Sequence, residues 1–431
     1  MKFDVSWMIS AIKDNTGMKM KRFSMLCLML SVLTIAQVSI ASKGAFFNVT
    51  SAGTPANANI TLCLNAKSEL SCQHYTVASL NLSINTSIPN HIYPSAGIKV
   101  NTSGYTLTGC APLNNGYCQF SVSNTAPISI ALSNTNYELV TVGNPGNAAD
   151  TTGFGAVNYT YKIGKYHVTI KQYTDFLNAV AKIDTYSLYN SNMTTDLNSA
   201  GISRSGTSGN YTYSVMNNSG VSANRPITYV TWFNAARFAN WMSNGKPTGS
   251  QTSTTTENGT YPLNGAINGV APAKNSVNPN TGSAPTYYIP LENEWYKAAY
   301  YNAAMNTYYL YATQSNTLPG NVIGSQPNQA NYFIATGNGF SITQSLFFDP
   351  YALNYLTDVG SYTGSPSYYG TFDQNGNADQ WNDLDGTASL YRGLRGAFYY
   401  AGAFPMKSTL FAKSVATNSY NGGGFRLASP A

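Results

Sequence analysis

Residues 369–383 read YGTFDQNGNADQWND, and the rest of the chain can be interpreted outward from this stretch. Asp373, Gln380 and the backbone carbonyls between them surround Gly376, which can supply a sharp bend. Oxygen atoms at this spacing can converge on a hard cation such as calcium. An Asx-type turn closed by Asp373 and Asn375 without an ion fits the same spacing, so both interpretations stay open.

The composition favours an exported, aromatic, loop-rich protein. The chain has 431 residues, of which only 9% are charged, with 33 tyrosines and 37 glycines. This length predicts two domains after removal of a leader. Five basic and two acidic residues precede residue 42, so half of the formal net charge of +6 belongs to the leader. Beyond the leader the sequence has no cluster of Lys and Arg, so it lacks the basic patch that is typical of a nucleic-acid-binding protein.

The first 41 residues have the pattern of a signal peptide. Lys19, Lys21 and Arg22 precede an apolar run over residues 23–41 that ends in small residues, and we expect cleavage after Ala41. An uncleaved anchor is the alternative, because the run approaches the length of a membrane span. The protein is therefore expected to be periplasmic, on the cell surface or secreted, with membrane contact only through an uncleaved leader.

Residues 43–137 are predicted to form a small all-β domain with disulfides. Alternating polar and apolar residues in 75–84 and 117–132 indicate half-buried strands. Removal of Cys27 with the leader leaves four cysteines, and an even number in an exported chain favours two disulfides. Among three possible connectivities we prefer the pairs that are close in sequence, which are Cys63 with Cys72 and Cys110 with Cys118.

Residues 138–431 are predicted to form a second domain, which starts near a turn-rich join at 142–156. A strand is expected over 161–168, followed by a helix capped by Thr169 and a helix capped by Thr231 that ends at Gly245. Pro290 opens a third helix, in which two glutamates favour the dipole. The polar stretches 190–224 and 247–285 are expected to be long loops.

Seven segments of this second domain together resemble the formylglycine-generating enzyme, or sulfatase-modifying factor, family over residues 138–430. They are VGNPGNAAD, YKIGKYHVTIKQYTDFLNAVA, RPITYVTWFNAARFANWMSNG, IPLENEWYKAA, YGTFDQNGNADQW, YRGLRGAF and GGGFRLAS. The resemblance implies an α+β fold of the C-type-lectin-like type with much irregular loop, and two calcium ions. The implied ligands of the first ion are Asp373, the carbonyls of Gly376 and Ala378, and Gln380; those of the second are Asn331, the Tyr332 carbonyl, Asn338 and the Phe340 carbonyl.

Two positions depart from the family pattern. Gln380 stands where the family usually has Glu, which removes a charge from the first set and should weaken calcium binding. Leu291 stands where the family has a capping Thr, at a cost of about 1 kcal/mol at that helix start.

The chemistry of the family is not expected here. Its enzymes oxidise a substrate cysteine to formylglycine with two copper-binding cysteines, which should fall between Gly396 and Gly424. That segment contains no cysteine, and Ser408 or Ser414 cannot substitute, because a hydroxyl binds copper(I) far more weakly than a thiolate. Copper is therefore not expected. Three arginines, Arg392, Arg395 and Arg426, are expected to bond backbone and carboxylates inside the fold.

Three functional hypotheses follow. The leading one is an exported binding protein, a pseudoenzyme for an unidentified protein or glycan ligand, whose contacts come from Tyr399, Tyr400, Phe404 and Phe411. The alternative for these rings is that they fill a core poor in Leu and Ile. The second hypothesis is a formylglycine-generating-type oxidoreductase acting on protein cysteine. The third is a variable display protein with diversified loops between residues 396 and 424.

Overall fold

The computed structural model describes residues 137–431 in full and, before them, the backbone of nine strands between Ala45 and Asn134. The predicted signal peptide lies outside the described residues. Within the described part of the chain, no helix is both long enough and apolar enough to cross a membrane.

The nine strands before residue 135 belong to two sheets. The four-stranded sheet has the order β4-β1-β9-β6 and the five-stranded sheet the order β3-β2-β5-β8-β7. The strands are β1 Ala45–Ser51, β2 Ala58–Asn65, β3 Leu70–Val77, β4 Asn81–Thr86, β5 Tyr93–Val100, β6 Tyr105–Thr108, β7 Ala111–Pro112, β8 Cys118–Val122 and β9 Ile128–Asn134.

Each of the two stretches predicted here as continuous strands divides between the sheets. Residues 75–84 run from β3 in one sheet to β4 in the other, and residues 117–132 run from β8 to β9 in the same way. The register places Cys63 opposite Cys72 on β2 and β3. The cysteine side chains lie outside the described residues, so both disulfides and the domain bounds 43–137 stay predictions.

Residues 137–431 combine four α-helices with eleven short strands. The helices are α1 Ile170–Val180, α2 Asn192–Thr195, α3 Trp232–Ser243 and α4 Glu292–Tyr300. The strands are β10 Leu139–Val142, β11 Tyr161–Gly164, β12 Ile202–Ser205, β13 Thr212–Val215, β14 Tyr301–Asn302, β15 Thr307–Tyr308, β16 Asp379–Asn382, β17 Tyr391–Arg395, β18 Ala412–Val415, β19 Gly423–Phe425 and β20 Ala428–Pro430.

Helix α1 begins where the sequence predicts. The Thr169 hydroxyl accepts a hydrogen bond from the Gln172 backbone, and the Gln172 side chain bonds back to the Thr169 N–H, which satisfies two otherwise unpaired donors. The predicted apolar face of the helix is buried, and its Tyr173 stacks on Phe238 of α3 with ring centroids 6.0 Å apart. The cap and the apolar period together fix this helix.

Helix α3 is buried all round, since each of its twelve residues is buried. The Thr231 side chain caps it by accepting from the Asn234 N–H, as predicted, and the chain turns away at Gly245, whose φ is 82°. Arg237 is tolerated inside the core because Glu257 binds it with two hydrogen bonds of 2.8 and 2.7 Å.

Helix α4 starts without a side-chain cap at Leu291. Its first turn is instead closed from inside, because the Glu294 carboxylate accepts the Leu291 N–H at 2.8 Å. Tyr159 and Tyr288 donate their hydroxyls to the same carboxylate at 2.9 and 2.8 Å. The glutamate therefore closes the helix start from within.

Two sheets organise this region. The three-stranded sheet β10-β11-β20 joins residues near 139 to the C-terminal strand. The four-stranded sheet has the order β18-β17-β16-β19, with β16 antiparallel to β17 and parallel to β19. Strand β16 belongs to the 369–383 stretch, so that stretch lies at the centre of this sheet.

One predicted loop was wrong and one was right. Residues 190–224 contain α2 and the hairpin β12-β13, in which Arg204 lies between the rings of Tyr189 and Tyr211 at 4.6 and 4.3 Å. Cation–π stacking of this kind stabilises a hairpin whose polar sequence gives little hydrophobic signal. Residues 247–285 contain no helix or strand, as predicted.

Candidate functional site

Residues 373–377 of the 369–383 stretch make a tight turn with three residues in the left-handed region. Asp373, Gly376 and Asn377 have φ values of 56°, 76° and 65°. A Cβ on Gly376 would lie 2.3 Å from the carbonyl oxygen of Asn331, which a side chain cannot do. Glycine is therefore required at the predicted bend, for both its conformation and its close approach.

The predicted ligands of the first calcium ion are engaged by protein donors. The Asp373 carboxylate accepts the Gly360 N–H at 2.7 Å, and the Ala378 carbonyl lies 2.9 Å from His167 Nε2. The Gln380 side-chain oxygen accepts Trp295 Nε1 at 2.8 Å and Arg426 Nε at 2.5 Å. A guanidinium thus bonds the oxygen that a cation would use.

The electrostatics of this turn follow from its burial. Burial raises the pKa of Asp373 to about 6, against the opposing effects of the Gly360 hydrogen bond and of Arg426. Burial and Arg426 lower the pKa of His167 to about 3, so this imidazole is neutral. Among the described residues, no group of three His, Cys, Asp or Glu side chains could hold a metal ion. A cation here would have to displace existing hydrogen bonds, and the first set stays a prediction.

The second predicted set offers only neutral oxygens. The Tyr332 carbonyl accepts Asn321 Nδ2 at 3.2 Å, and the Phe340 carbonyl accepts the Gln344 N–H at 2.8 Å. Asn331 donates Nδ2 to the carbonyl of Tyr355 at 2.9 Å.

Asn338, the fourth member of that set, is exposed. Asn321 Oδ1 is buried and has no hydrogen-bond partner among the described residues. This unpaired oxygen favours an additional ligand or water near the set.

The four aromatic residues predicted to contact a ligand do not act together. Tyr399 is 1% exposed and stacks on Tyr355 at 6.0 Å, so it belongs to the core. Tyr400 and Phe404 are 48% and 63% exposed. Phe411 is half-buried and packs elsewhere, with its centroid 5.1 Å from that of Phe154. The core interpretation therefore holds for Tyr399, and ligand contact by the exposed Tyr400 and Phe404 stays a prediction.

Tyr400 rests on aromatic rings that the sequence did not single out. Its centroid lies 4.9 Å from that of Phe348 and 5.6 Å from that of Phe340. The segment 346–351, next to these rings, exposes Phe347 at 72% and Tyr351 at 81%. We call the exposed set Phe347, Tyr351, Tyr400 and Phe404 the aromatic surface. The Phe347-Phe348 pair in a polar stretch was the available sequence signal.

The segment expected to carry the catalytic cysteines is built from other side chains. Met406 is fully buried there and its carbonyl accepts Asn375 Nδ2 at 2.8 Å. Ser408 is buried and its carbonyl accepts Arg395 at 2.8 Å. No cysteine follows Cys118 in the sequence, so this part of the chain has no thiol.

The carboxylates on and next to β16 are bound by other side chains of the protein. Asp383 forms an ion pair with Arg392 at 2.9 Å and accepts the Tyr261 hydroxyl at 2.8 Å. Asp379 accepts the Tyr420 hydroxyl at 2.6 Å. Each has its own partners, which is the arrangement of structural groups.

The three arginines bond inside the fold, as predicted. Arg392 donates to the carbonyls of Ala271 and Pro272 at 3.0 and 2.9 Å. Arg426 donates to the carbonyl of Phe372 at 2.7 Å. Arg395 binds Glu292 with nitrogen–oxygen distances of 2.8 and 2.7 Å. Their guanidinium forks fix loops that lack regular secondary structure.

Comparisons with known proteins give one family match and several similar solved structures. A family model described as FGE-sulfatase, the sulfatase-modifying factor enzyme 1-like domain, matches residues 143–431. Comparison with curated proteins finds no match. Three solved structures are similar at low identity. CarF is 17% identical, with a TM-score of 0.42, 69% of this chain and 99% of that chain covered. PvdO from Pseudomonas aeruginosa is 14% identical, with a TM-score of 0.37, and the match covers 69% of this chain and 95% of that chain. Treponema denticola variable protein 1 is 14% identical, with a TM-score of 0.32, and the match covers 68% of this chain and 95% of that chain.

Proposed function

The chain belongs to the family of the sulfatase-modifying factor enzyme 1-like domain, and on that premise we propose that it is an exported binding protein that does not oxidise cysteine. The single observation that carries the proposal is the composition of residues 396–424. This segment has no thiol, and it presents exposed aromatic side chains instead. Copper(I) requires soft thiolate ligands, which hydroxyls and aromatic rings do not replace.

The aromatic surface suits recognition of a protein or glycan ligand. Exposed rings provide large contact area at low cost in conformational entropy. Tyr400 is held from below by Phe340 and Phe348, so its ring position is fixed before a partner arrives.

The test compares the full mature chain with a Tyr400→Ser/Phe404→Ser variant. A matched control is Tyr391→Ser, because Tyr391 is 49% exposed on β17 and has no ring contact with the aromatic surface among the described residues. Labelled proteins are applied to a glycan array and to blotted envelope proteins of the source organism. We expect a signal that the double variant loses and the control keeps. Equal signals from all three proteins would refute this location.

Oxidase activity is tested separately. The pure protein is incubated with copper and a cysteine-containing peptide, and the peptide mass is followed. We expect no change, because the segment has no copper-binding thiol. A mass change that corresponds to replacement of the thiol by an aldehyde would establish the oxidoreductase alternative instead.

A second candidate function is loop diversification for display. Tyr400 and Phe404 are exposed, whereas Ala397 and Met406 in the same segment are buried. Diversification requires such a division, since only exposed positions tolerate change without loss of packing. Sequencing the gene from several isolates would show variation concentrated at the exposed positions of 396–424. Variation spread evenly over the domain would contradict this candidate.

A further inference from the structure

A cavity lies at the start of α4, and its lining contains no residue of the aromatic surface. Its volume is about 320 Å³, and its lining includes Phe154, Asn293, Asp385, Phe411 and Lys413. We propose that this cavity binds one pyranose unit of a carbohydrate. The proposal names a separate site and does not require that the aromatic surface bind anything.

The apolar wall of the cavity is ordered in the absence of a ligand. The rings of Phe154 and Phe411 lie 5.1 Å apart at 36°. The Arg395 guanidinium lies 5.3 Å from both centroids and is itself fixed by Glu292 and by the Ser408 carbonyl. Cation–π contacts to one buried arginine therefore hold both rings, and a ligand meets a preorganised aromatic wall.

Polar groups of both hydrogen-bonding types surround this wall. Asp385 is exposed, and one of its carboxylate oxygens accepts the N–H and the hydroxyl of Thr387 at 3.0 and 2.7 Å. These bonds orient the carboxylate and lower its pKa, so it is an ionised acceptor. The Asn293 side-chain oxygen accepts the Gly155 N–H at 2.9 Å.

Two donors remain available at the same cavity. Asn293 Nδ2 has no hydrogen-bond partner among the described residues. The Lys413 ammonium lies 5.4 Å from the centroid of Phe411 and, within residues 137–431, has no ion-pair partner. An oriented acceptor and two donors next to an aromatic face match the hydroxyls and the apolar face of a sugar ring.

The charge balance favours a neutral ligand over an ion or an amino acid. Lys413 and Asp385 are both exposed and of opposite sign, and Arg395 neutralises the buried Glu292. Exposed charges are well hydrated and attract opposite charges only weakly, so a zwitterion gains little from them. The volume is at the lower end of the range for ligand sites, roughly 300 Å³, which limits the occupant to one ring.

The experiment is ligand-observed NMR with the full mature chain. The probes are the methyl glycosides of glucose, galactose, mannose and N-acetylglucosamine, with glycine and phenylalanine as zwitterions. We expect saturable binding of at least one glycoside, weakened about tenfold in Phe411→Ala, which removes half of the aromatic wall. Asp385→Ala should weaken binding similarly and, being exposed, leaves folding intact. The matched control Tyr400→Ser/Phe404→Ser should bind as the wild type does.

Three outcomes would overturn the proposal. They are no binding of any glycoside at about 10 mM, equal binding by wild type, Phe411→Ala and Asp385→Ala, and binding of the amino acids alone. Because the control variant changes Tyr400 and Phe404 of the aromatic surface and no residue of the cavity, a failure here is distinct from a failure of the proposed binding function.

Discussion

Replacement of Arg395 by Met leaves the buried carboxylate of Glu292 without its cation. The two side chains are 1% and 4% exposed. Removing one partner of a buried ion pair costs about 3–5 kcal/mol, because a charge then stays buried and unpaired. The carbonyls of Ser408 and Leu410 also lose their donor. We therefore expect a loss of about 4 kcal/mol in the free energy of unfolding.

The pH dependence of the variant provides an internal check. Burial raises the pKa of Glu292, while Arg395 and a hydrogen bond from Asn382 oppose that effect. Without Arg395 the pKa rises further above that of the unfolded chain. A carboxyl with a raised pKa in the folded state stabilises the fold at low pH and loses that contribution as the pH rises through the folded pKa. The deficit of Arg395→Met should therefore shrink on acidification.

The assay is denaturation by guanidinium chloride followed by near-UV circular dichroism. Lys413→Met is the matched control, because Lys413 is an exposed cation on the neighbouring strand, and its change should stay within about 0.5 kcal/mol. A loss in Arg395→Met below about 1 kcal/mol would refute the argument that this pair is buried and coupled. A loss that acidification does not change would refute the assignment of the cost to Glu292.

Three further predictions concern the 369–383 turn and its neighbours. Gly376→Ala should cost about 2–4 kcal/mol, from left-handed backbone and the clash with Asn331, whereas Gly402→Ala, which has open space, should be nearly neutral in the same thermal melts. Burial raises the pKa of Asp373 from 3.8 to about 6, so the protonated carboxyl stabilises the fold at low pH. As the pH is lowered from about 7 to about 5, the melting temperature of the wild type should therefore rise relative to that of Asp373→Asn. Parallel pH profiles of the two proteins would contradict this. Calcium bound at the second predicted set should raise the melting temperature of the wild type above its value with chelator, and Asn331→Ala should abolish this difference. Equal melting temperatures of the wild type with calcium and with chelator would count against calcium binding.

Local signals predicted helices α1 and α3 well, whereas the short helix α2 was missed. Thr169 and Thr231 cap α1 and α3 through bonds to residues only three positions away. Such contacts can be recognised in sequence because both partners lie within one turn. Membership of the family also confirms the α+β, C-type-lectin-like fold with mixed helix and strand that the seven segments implied.

Long-range pairing was not predictable in the same way. Glu292 lies 103 residues before its partner Arg395, and Arg426 bonds Gln380 across 46 residues. The sequence indicated that these arginines are internal but not which groups they bind. Glu292 was interpreted as a residue that favours the helix dipole, whereas in the structure it is the buried partner of Arg395. Tertiary contacts decided its role, which local spacing does not encode.

The candidate contact residues show the same limit. Tyr399 and Tyr400 are adjacent and identical in type, yet the first is buried and the second is half exposed. In irregular backbone no fixed period relates neighbouring side chains to a face, unlike in a helix or strand. The four candidate aromatic residues of 396–424 could be selected from composition, but which of them are buried and which are exposed depended on the fold.

Neutral amides explain how loops with few charges can hold exposed aromatic residues in fixed positions. Asn198 donates Nδ2 to the carbonyls of Asp349 and Leu353, at 2.8 and 2.9 Å, and so fixes the loop that exposes Phe347 and Tyr351. An amide satisfies two backbone acceptors without the desolvation cost of a buried charge. Loops fixed in this way lose little further entropy when a partner binds. A chain with 9% charged residues can therefore present ordered aromatic side chains on irregular backbone.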